Sequence, residues 1–158
     1  MQTYFSYKSR FFCPKEELFK FHESPKGFET LVGLDPNVKV LKRPNSLLKG
    51  EEAILKVDIF PGISKNWISL HTDYKEKEYF EDTQMDGPFK KFIHKHIFSE
   101  DGDYSILEDR IEFDFFLLPI SKYFIYLKLK PQFQKRHIVT AKTLGVKSEN
   151  LFCGLYNK

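Results

Sequence analysis

The segment Phe92-Ile93-His94-Lys95-His96-Ile97-Phe98 holds the residue types best suited to chemistry. In a strand, alternate side chains point to opposite faces, so Phe92, His94, His96 and Phe98 share one face and Lys91 and Lys95 the other. Lysines belong in water, which turns the histidines inward. If Glu100 to Asp103 is the hairpin loop to the next strand, Ser99 pairs with Tyr104 and His94 comes opposite Asp109. Directly opposed Cβ atoms are about 4.5–5.5 Å apart, close enough for an imidazole and a carboxylate to hydrogen bond. Asp109 is the one charged residue on an otherwise apolar face that includes Ile111 and Phe113, and a buried carboxylate needs such a partner. Across the Asp86-Gly87-Pro88 turn, Asp82 and Gln84 are expected on the same face.

Four readings of this polar island follow. It can be a satisfied network that sets strand register, or the polar anchor of a mainly apolar ligand. It can be a His94–Asp109 acid/base pair of the cyclase or dehydratase type, the carboxylate orienting the ring and raising its basicity for proton abstraction next to a carbonyl. It can also be part of a metal site. Two histidines one residue apart on a strand both reach an ion, but the sequence offers no committed third ligand, so neither metal nor cofactor is expected.

The elements that must position these residues come from the surrounding pattern. Tyr4 to Cys13 reads as a strand, and Pro14 opens a short helix over Lys15 to Phe21. Ser24-Pro25-Lys26-Gly27 breaks it before a second helical turn at Phe28 to Val32, which ends at Gly33. From Val38 to Phe116 the period becomes two, with turn residues at Asn45, Lys49-Gly50, Pro61-Gly62, Asp86-Gly87-Pro88 and Asp101-Gly102. Ala53, Leu55, Val57 and Ile59 make one face, read as buried, and Glu52, Lys56 and Asp58 the wet one, while Leu107, Ile111, Phe113 and Phe115 oppose Glu108, Arg110, Glu112 and Asp114. After Pro119 the chain turns helical, with Phe133, His137, Ala141 and Leu144 along one stripe and Pro131 starting or kinking the helix. Strand, two short helices, a run of antiparallel strands and one long helix make an α+β fold with about six to seven strands.

Composition narrows the function. The 158 residues include 17 phenylalanines, with Ala53 and Ala141 the only alanines, which leans toward sheet and an interior of few, large side chains. The length suits one domain over residues 1–158, with the tail after about 148 loosely ordered. A net charge of +3 and a 41% apolar share argue against disorder, and no apolar run approaches the ~20 residues of a membrane helix. The start lacks the apolar core of a signal peptide, so Cys13 and Cys153 are expected as thiols in a cytoplasmic protein. From Phe115 to Ser148 there is no acidic residue, and Lys122, Lys128, Lys130, Lys135, Arg136, Lys142 and Lys147 make this helix basic. Such a helix is a solvated face, or a transient contact for an anionic membrane or acidic partner. Nucleic acid is not expected, because no recognised motif accompanies the basic residues. Phosphate-binding glycine loops, nucleophile elbows and paired-cysteine metal motifs do not occur.

The order of elements, with Phe19, Phe21-His22-Glu23-Ser24-Pro25, Asp82-Thr83-Gln84, Gly87-Pro88-Phe89, His94-Lys95-His96, Phe98, Asp109, Pro119 and Phe133 with Arg136, resembles the START/birch-pollen-allergen (SRPBCC) superfamily. It is most similar to a bacterial branch of small ligand-binding-type, polyketide cyclase-like domains, also found fused to epimerase-like proteins. It departs from that branch at Asp101-Gly102-Asp103-Tyr104, where a double glycine is common, and at Phe92 and Lys135, where tryptophan and tyrosine are favoured. The resemblance implies a helix-grip fold, a curved antiparallel sheet wrapped around the C-terminal helix with a cavity between them. Members bind lipids, sterols, quinones or polyketides, and only some catalyse.

The expected function is binding, for transport or sensing, of an apolar or amphipathic small molecule by a protein that need not be an enzyme. The expected ligand-binding residues are Asp82, Gln84, Phe92, His94, His96, Phe98, Asp109, Ile111, Phe113, Phe133 and His137. The alternatives are an enzyme using His94 and Asp109, and a regulatory interaction module whose cavity is vestigial.

Overall fold

A computed structural model describes residues 3–114 and 121–157. The chain runs β1 (Thr3–Phe11), α1 (Lys15–Glu23), α2 (Pro25–Val32), β2 (Val38–Lys42), β3 (Glu52–Phe60), β4 (Ile63–Lys75), β5 (Tyr79–Asp86), β6 (Lys91–Asp101), β7 (Tyr104–Asp114), α3 (Ser121–Leu144) and β8 (Ser148–Asn157). Phe115, Phe116 and Pro119, assigned above to the last strand and the approach to the long helix, lie outside the described residues.

The strands form one curved antiparallel sheet in the order β2-β3-β4-β5-β6-β7-β1-β8. Eight strands replace the six or seven expected, and the tail expected to be loosely ordered is β8. It pairs with β1 along its length, Phe5 facing Leu155 and Phe11 facing Ser148. The difference is physical. β8 is an edge strand, exposed over much of its length, so it carries no alternation of apolar and polar residues.

Two local departures follow from capping and turn chemistry. The second helix begins at Pro25, because Ser24 caps it by accepting the Gly27 N–H at 2.9 Å and a proline fits the first helical position. The β6–β7 hairpin closes through Gly102-Asp103 alone, with Asp101 opposite Tyr104 and Gly102 at φ +62°. The expected four-residue loop is therefore corrected to two, and His94 faces Ile111 while His96 faces Asp109. A slip of two residues keeps every side chain on its face.

Helix α3 runs without interruption from Ser121 to Leu144, so Pro131 lies within it and does not start it. The proline is exposed, where water can satisfy the carbonyl whose hydrogen bond it removes. Ile125, Leu129, Phe133, His137 and Ala141, each four apart, are all buried against the sheet. Among the described residues, no helix is long and apolar enough to cross a membrane.

The interior is divided. Phe11, Leu18, Phe19, Phe80, Phe98, Leu107 and Ala141 make one apolar cluster, and Phe5, Tyr7, Phe92, Ile111, Phe113, Leu129 and Phe133 make another. On each element that contributes to both clusters the residues between them are polar: Ser9 on β1, His94 and His96 on β6, Asp109 on β7 and His137 on α3. The fold thus carries a polar layer through an aromatic core.

Candidate functional site

Asp109 is the hub of that layer. Its Oδ1 accepts a hydrogen bond from His94 Nε2 at 2.8 Å and its Oδ2 one from His137 Nε2 at 2.7 Å. His96 Nδ1 also lies 2.8 Å from Oδ1, but out of line for a hydrogen bond, so this contact is electrostatic. On the other side of the two β6 rings stands Asp82, whose Oδ2 is 3.3 Å from His96 Nε2 and 3.7 Å from His94 Nδ1. The rings, with centroids 3.8 Å apart, are held between two carboxylates. Ser69 Oγ donates to the remaining Asp82 oxygen at 2.9 Å, and His137 Nδ1 is 2.8 Å from Ser9 Oγ.

All five histidines of the chain are buried, 2% to 7% exposed. Four of them are shifted, in directions set by burial and by their partners. Burial disfavours the imidazolium of His96, but the Asp109 and Asp82 carboxylates outweigh burial and raise its pKa. Burial lowers His94, and the neighbouring His96 charge presses the same way against the pull of Asp109. Burial also lowers His71, and it takes His22 down to about 3. Burial alone would raise both carboxylates. The histidines nevertheless hold Asp109 and Asp82 well below the usual carboxylate range.

The layer forms the floor of a cavity of about 450 Å³ between the sheet and α3. Ser69, His71, Asp82, His94 and His96 supply polar atoms to its wall. Leu55, Val57 and Ile59 of β3, with Trp67 and Leu31, supply apolar ones. The cavity reaches solvent where its wall includes the exposed Asn45, Lys128 and Gln132. In β4, register shifts bracket Ser69 and His71, and bulges of this kind re-aim side chains at the floor.

Of the residues expected to bind ligand, Asp82, Phe92, His94, His96 and Phe133 line the cavity. Asp109 and His137 lie behind the histidines as their support, and Phe98, Ile111 and Phe113 are packed in the two apolar clusters. Gln84 is corrected outright. Its amide closes the β5–β6 turn, donating to the Phe89 carbonyl at 2.8 Å and accepting from the Phe89 N–H at 3.3 Å. Its side chain also packs where a Cβ on Gly87 would stand. Sequence reasoning missed Ser69, His71 and Arg136 as wall residues. The inner face of β3 was visible as an apolar alternation but read as buried.

No protein-family model matches the sequence, and no curated protein matches it. Solved structures do match the fold. The nucleoside-diphosphate sugar epimerase from Corynebacterium glutamicum superposes with a TM-score of 0.70 at 16% identity, over 89% of this chain and 29% of that one. A START superfamily protein from Mycobacterium smegmatis gives 0.67 at 16% identity over 90% and 99% of the two chains. The major latex-like protein 151 from Panax ginseng gives 0.56 at 11% identity over 85% and 97%. The chain has the helix-grip fold of the START and Bet v 1-like proteins.

Proposed function

We propose that the chain binds an apolar or amphipathic small molecule, of lipid, sterol, quinone or polyketide type, between the sheet and α3. One observation carries this reading. Leu55, Val57 and Ile59 sit on the inner face of β3 yet are only half-buried, because among the described residues they face the 450 Å³ cavity and not a packed core. Apolar surface left uncovered inside a fold is a cost that a ligand's apolar body removes, at roughly 25 cal/mol per Å². The volume falls within the range of about 300–1,000 Å³ usual for small-molecule sites, and the His94–His96–Asp82 floor supplies the few convergent polar groups that orient such ligands.

The experiment is organic extraction of the purified protein with mass spectrometry of what co-purifies, followed by titration with members of those classes. A stoichiometric apolar species, displaceable by one of them, is the expected result. A protein that carries nothing and takes up none of them overturns the reading.

A second reading rests on a separate observation. His94 turns Nε2 to Asp109 at 2.8 Å while its ring lines the cavity, the orientation a general base needs. In a substrate screen, turnover lost in His94→Ala with binding retained favours an enzyme. Binding lost with no turnover in either protein favours a carrier. On the outside of α3, Tyr123, Phe124 and Leu127 are exposed beside Lys122, Lys128 and Lys130, a surface suited to anionic lipid during ligand exchange. Sedimentation with phosphatidylserine vesicles that is abolished by salt is expected, and no sedimentation at low salt would refute the contact.

A further inference from the structure

We infer that the cavity floor is a binding site for a divalent first-row transition metal of the Zn²⁺ or Fe²⁺ class, with Asp82, His94 and His96 as ligands. The inference concerns the metal alone and stands whether or not an organic ligand binds above it.

One ligating atom from each of the three residues lies within 4.8 Å of the others. Asp82 Oδ2 is 3.3 Å from His96 Nε2 and 3.7 Å from His94 Nδ1. Ligands bound at about 2.0–2.2 Å around one ion stand roughly 3–3.5 Å from each other, so the donors are spaced for a shared cation with small adjustments. Two imidazoles and one carboxylate are the donor set that borderline divalent ions prefer over calcium or magnesium. Three protein ligands leave positions open toward the cavity, which all three residues line.

The surroundings do what supporting groups around metal ligands do. A ligating histidine turns its other ring nitrogen to a carboxylate or carbonyl, which fixes the tautomer and the ring orientation. Here Asp109 does this for His94 through a hydrogen bond and holds His96 by charge alone. Asp109 Oδ1 is 2.8 Å from His94 Nε2 and 2.8 Å from His96 Nδ1, on the side away from Asp82. A neutral His94 that donates Nε2–H to Asp109 keeps its Nδ1 lone pair on the Asp82 side. On Asp82 itself, Ser69 Oγ occupies Oδ1 at 2.9 Å and leaves Oδ2 to the rings.

A second, independent sign is His71. The strand register sets it directly across from Asp82. It lines the same cavity and is 7% exposed, and its Nδ1 has no hydrogen-bond partner among the described residues. A buried imidazole nitrogen in the cavity wall, on a residue paired with Asp82, calls for a partner, and a metal-bound water at the floor would supply one.

The test is titration of the chelator-treated protein with Co²⁺, read by visible absorption and by proton NMR. One equivalent should bind with the d–d bands of a low-coordinate site and hyperfine-shifted ring signals from two histidines. Asp82→Asn and His96→Gln should lose stoichiometric uptake. Asp109→Asn should keep the stoichiometry and weaken binding roughly 10–100-fold. Absence of stoichiometric uptake by the unaltered protein, uptake without shifted histidine signals, or unchanged affinity in a folded Asp82→Asn protein would each overturn the site. The unaltered protein alone decides the first two, so a variant that fails to fold leaves the test intact.

Discussion

His137 on α3 and Asp109 at the centre of β7 meet at 2.7 Å, Nε2 to Oδ2, with both side chains almost wholly buried. This contact locks the long helix to the sheet at one height. Because Asp109 also supports His94 and His96, the same carboxylate sets the docking of α3 and the orientation of the cavity floor. A helix sliding by one turn would leave a buried charge short of a donor, which an all-apolar seam would not penalise.

Removing one partner should therefore cost more than the size of the deleted group suggests. Asp109→Asn strips the charge that faces three imidazoles and should destabilise by about 3–5 kcal/mol, and His137→Leu, which leaves one carboxylate oxygen unpaired, by about 1–3 kcal/mol. Since both weaken the same contact, the double variant should cost less than the two together. Urea denaturation of the four proteins measures the coupling, and strict additivity would show that the pair does not act as one unit.

A cavity also predicts an asymmetry between positions of similar chemistry. Leu55→Trp places a large ring into empty space and should change stability by less than about 1 kcal/mol while reducing uptake of an apolar fluorescent probe severalfold. Ile111→Phe adds volume to a fully buried site and should cost about 1–3 kcal/mol. Equal destabilisation at both positions would mean that β3 faces a filled core.

Side-chain parity placed Phe92, His94, His96 and Phe98 inside with Asp109, and a two-residue error in the β6–β7 loop did not disturb it, since parity survives an even slip. What parity cannot supply is pairing across strands distant in sequence. His71 reaches Asp82 only through a β4–β5 register containing two irregularities, and nothing local in His71-Thr72-Asp73 signals it. Nor does alternation distinguish a face that is packed from one that lines a void, so the inner face of β3 reads as buried from sequence although it lines the cavity. Gln84 shares parity with Asp82, but the neighbouring turn recruits its amide, because a turn's backbone groups need partners too.

The histidines make stability depend on pH with a definite sign. His22 donates Nδ1–H to the Leu18 carbonyl at 2.9 Å. Burial above all holds it at about 3 against an ordinary 6.5, with His96 and Arg136 pressing the same way and the Leu18 bond and then Asp109 opposing. In that interval the unfolded chain binds a proton that the folded chain refuses, so stability falls as pH drops, by on the order of 4–5 kcal/mol if the whole window is crossed. His71 and His94, also lowered, act in the same direction. His96, raised, acts oppositely. Its share is present below its unfolded value and is lost as pH rises through its folded one. Asp82 and Asp109 withdraw their contributions only below the ordinary carboxylate range, so the decline between about pH 6.5 and 4.5 belongs to the histidines. Thermal unfolding at half-unit pH steps should show a shallower decline for His22→Gln than for the parent, and parallel profiles would rule His22 out as a source.

The joint between the two short helices leaves no room for a side chain at residue 27. A Cβ at residue 27 would stand 1.9 Å from the Phe21 carbonyl oxygen, a backbone atom that cannot yield without unmaking the Ser24 cap. Gly102 sits at φ +62° in the β6–β7 hairpin, with nothing within 4 Å of the position a Cβ would take. The two glycines are therefore required for different reasons, one for space and one for backbone angle. Gly102→Asn should cost no more than about 1 kcal/mol, because asparagine tolerates the left-handed region. Gly27→Ala should cost several times as much, and because α2 supplies Leu31 and Val32 to the cavity wall, it should also weaken probe binding. Chemical denaturation and probe titration of the two variants side by side provide the comparison, and a Gly27→Ala protein as stable as Gly102→Asn would show that the α1–α2 joint is looser than the Phe21 carbonyl contact requires.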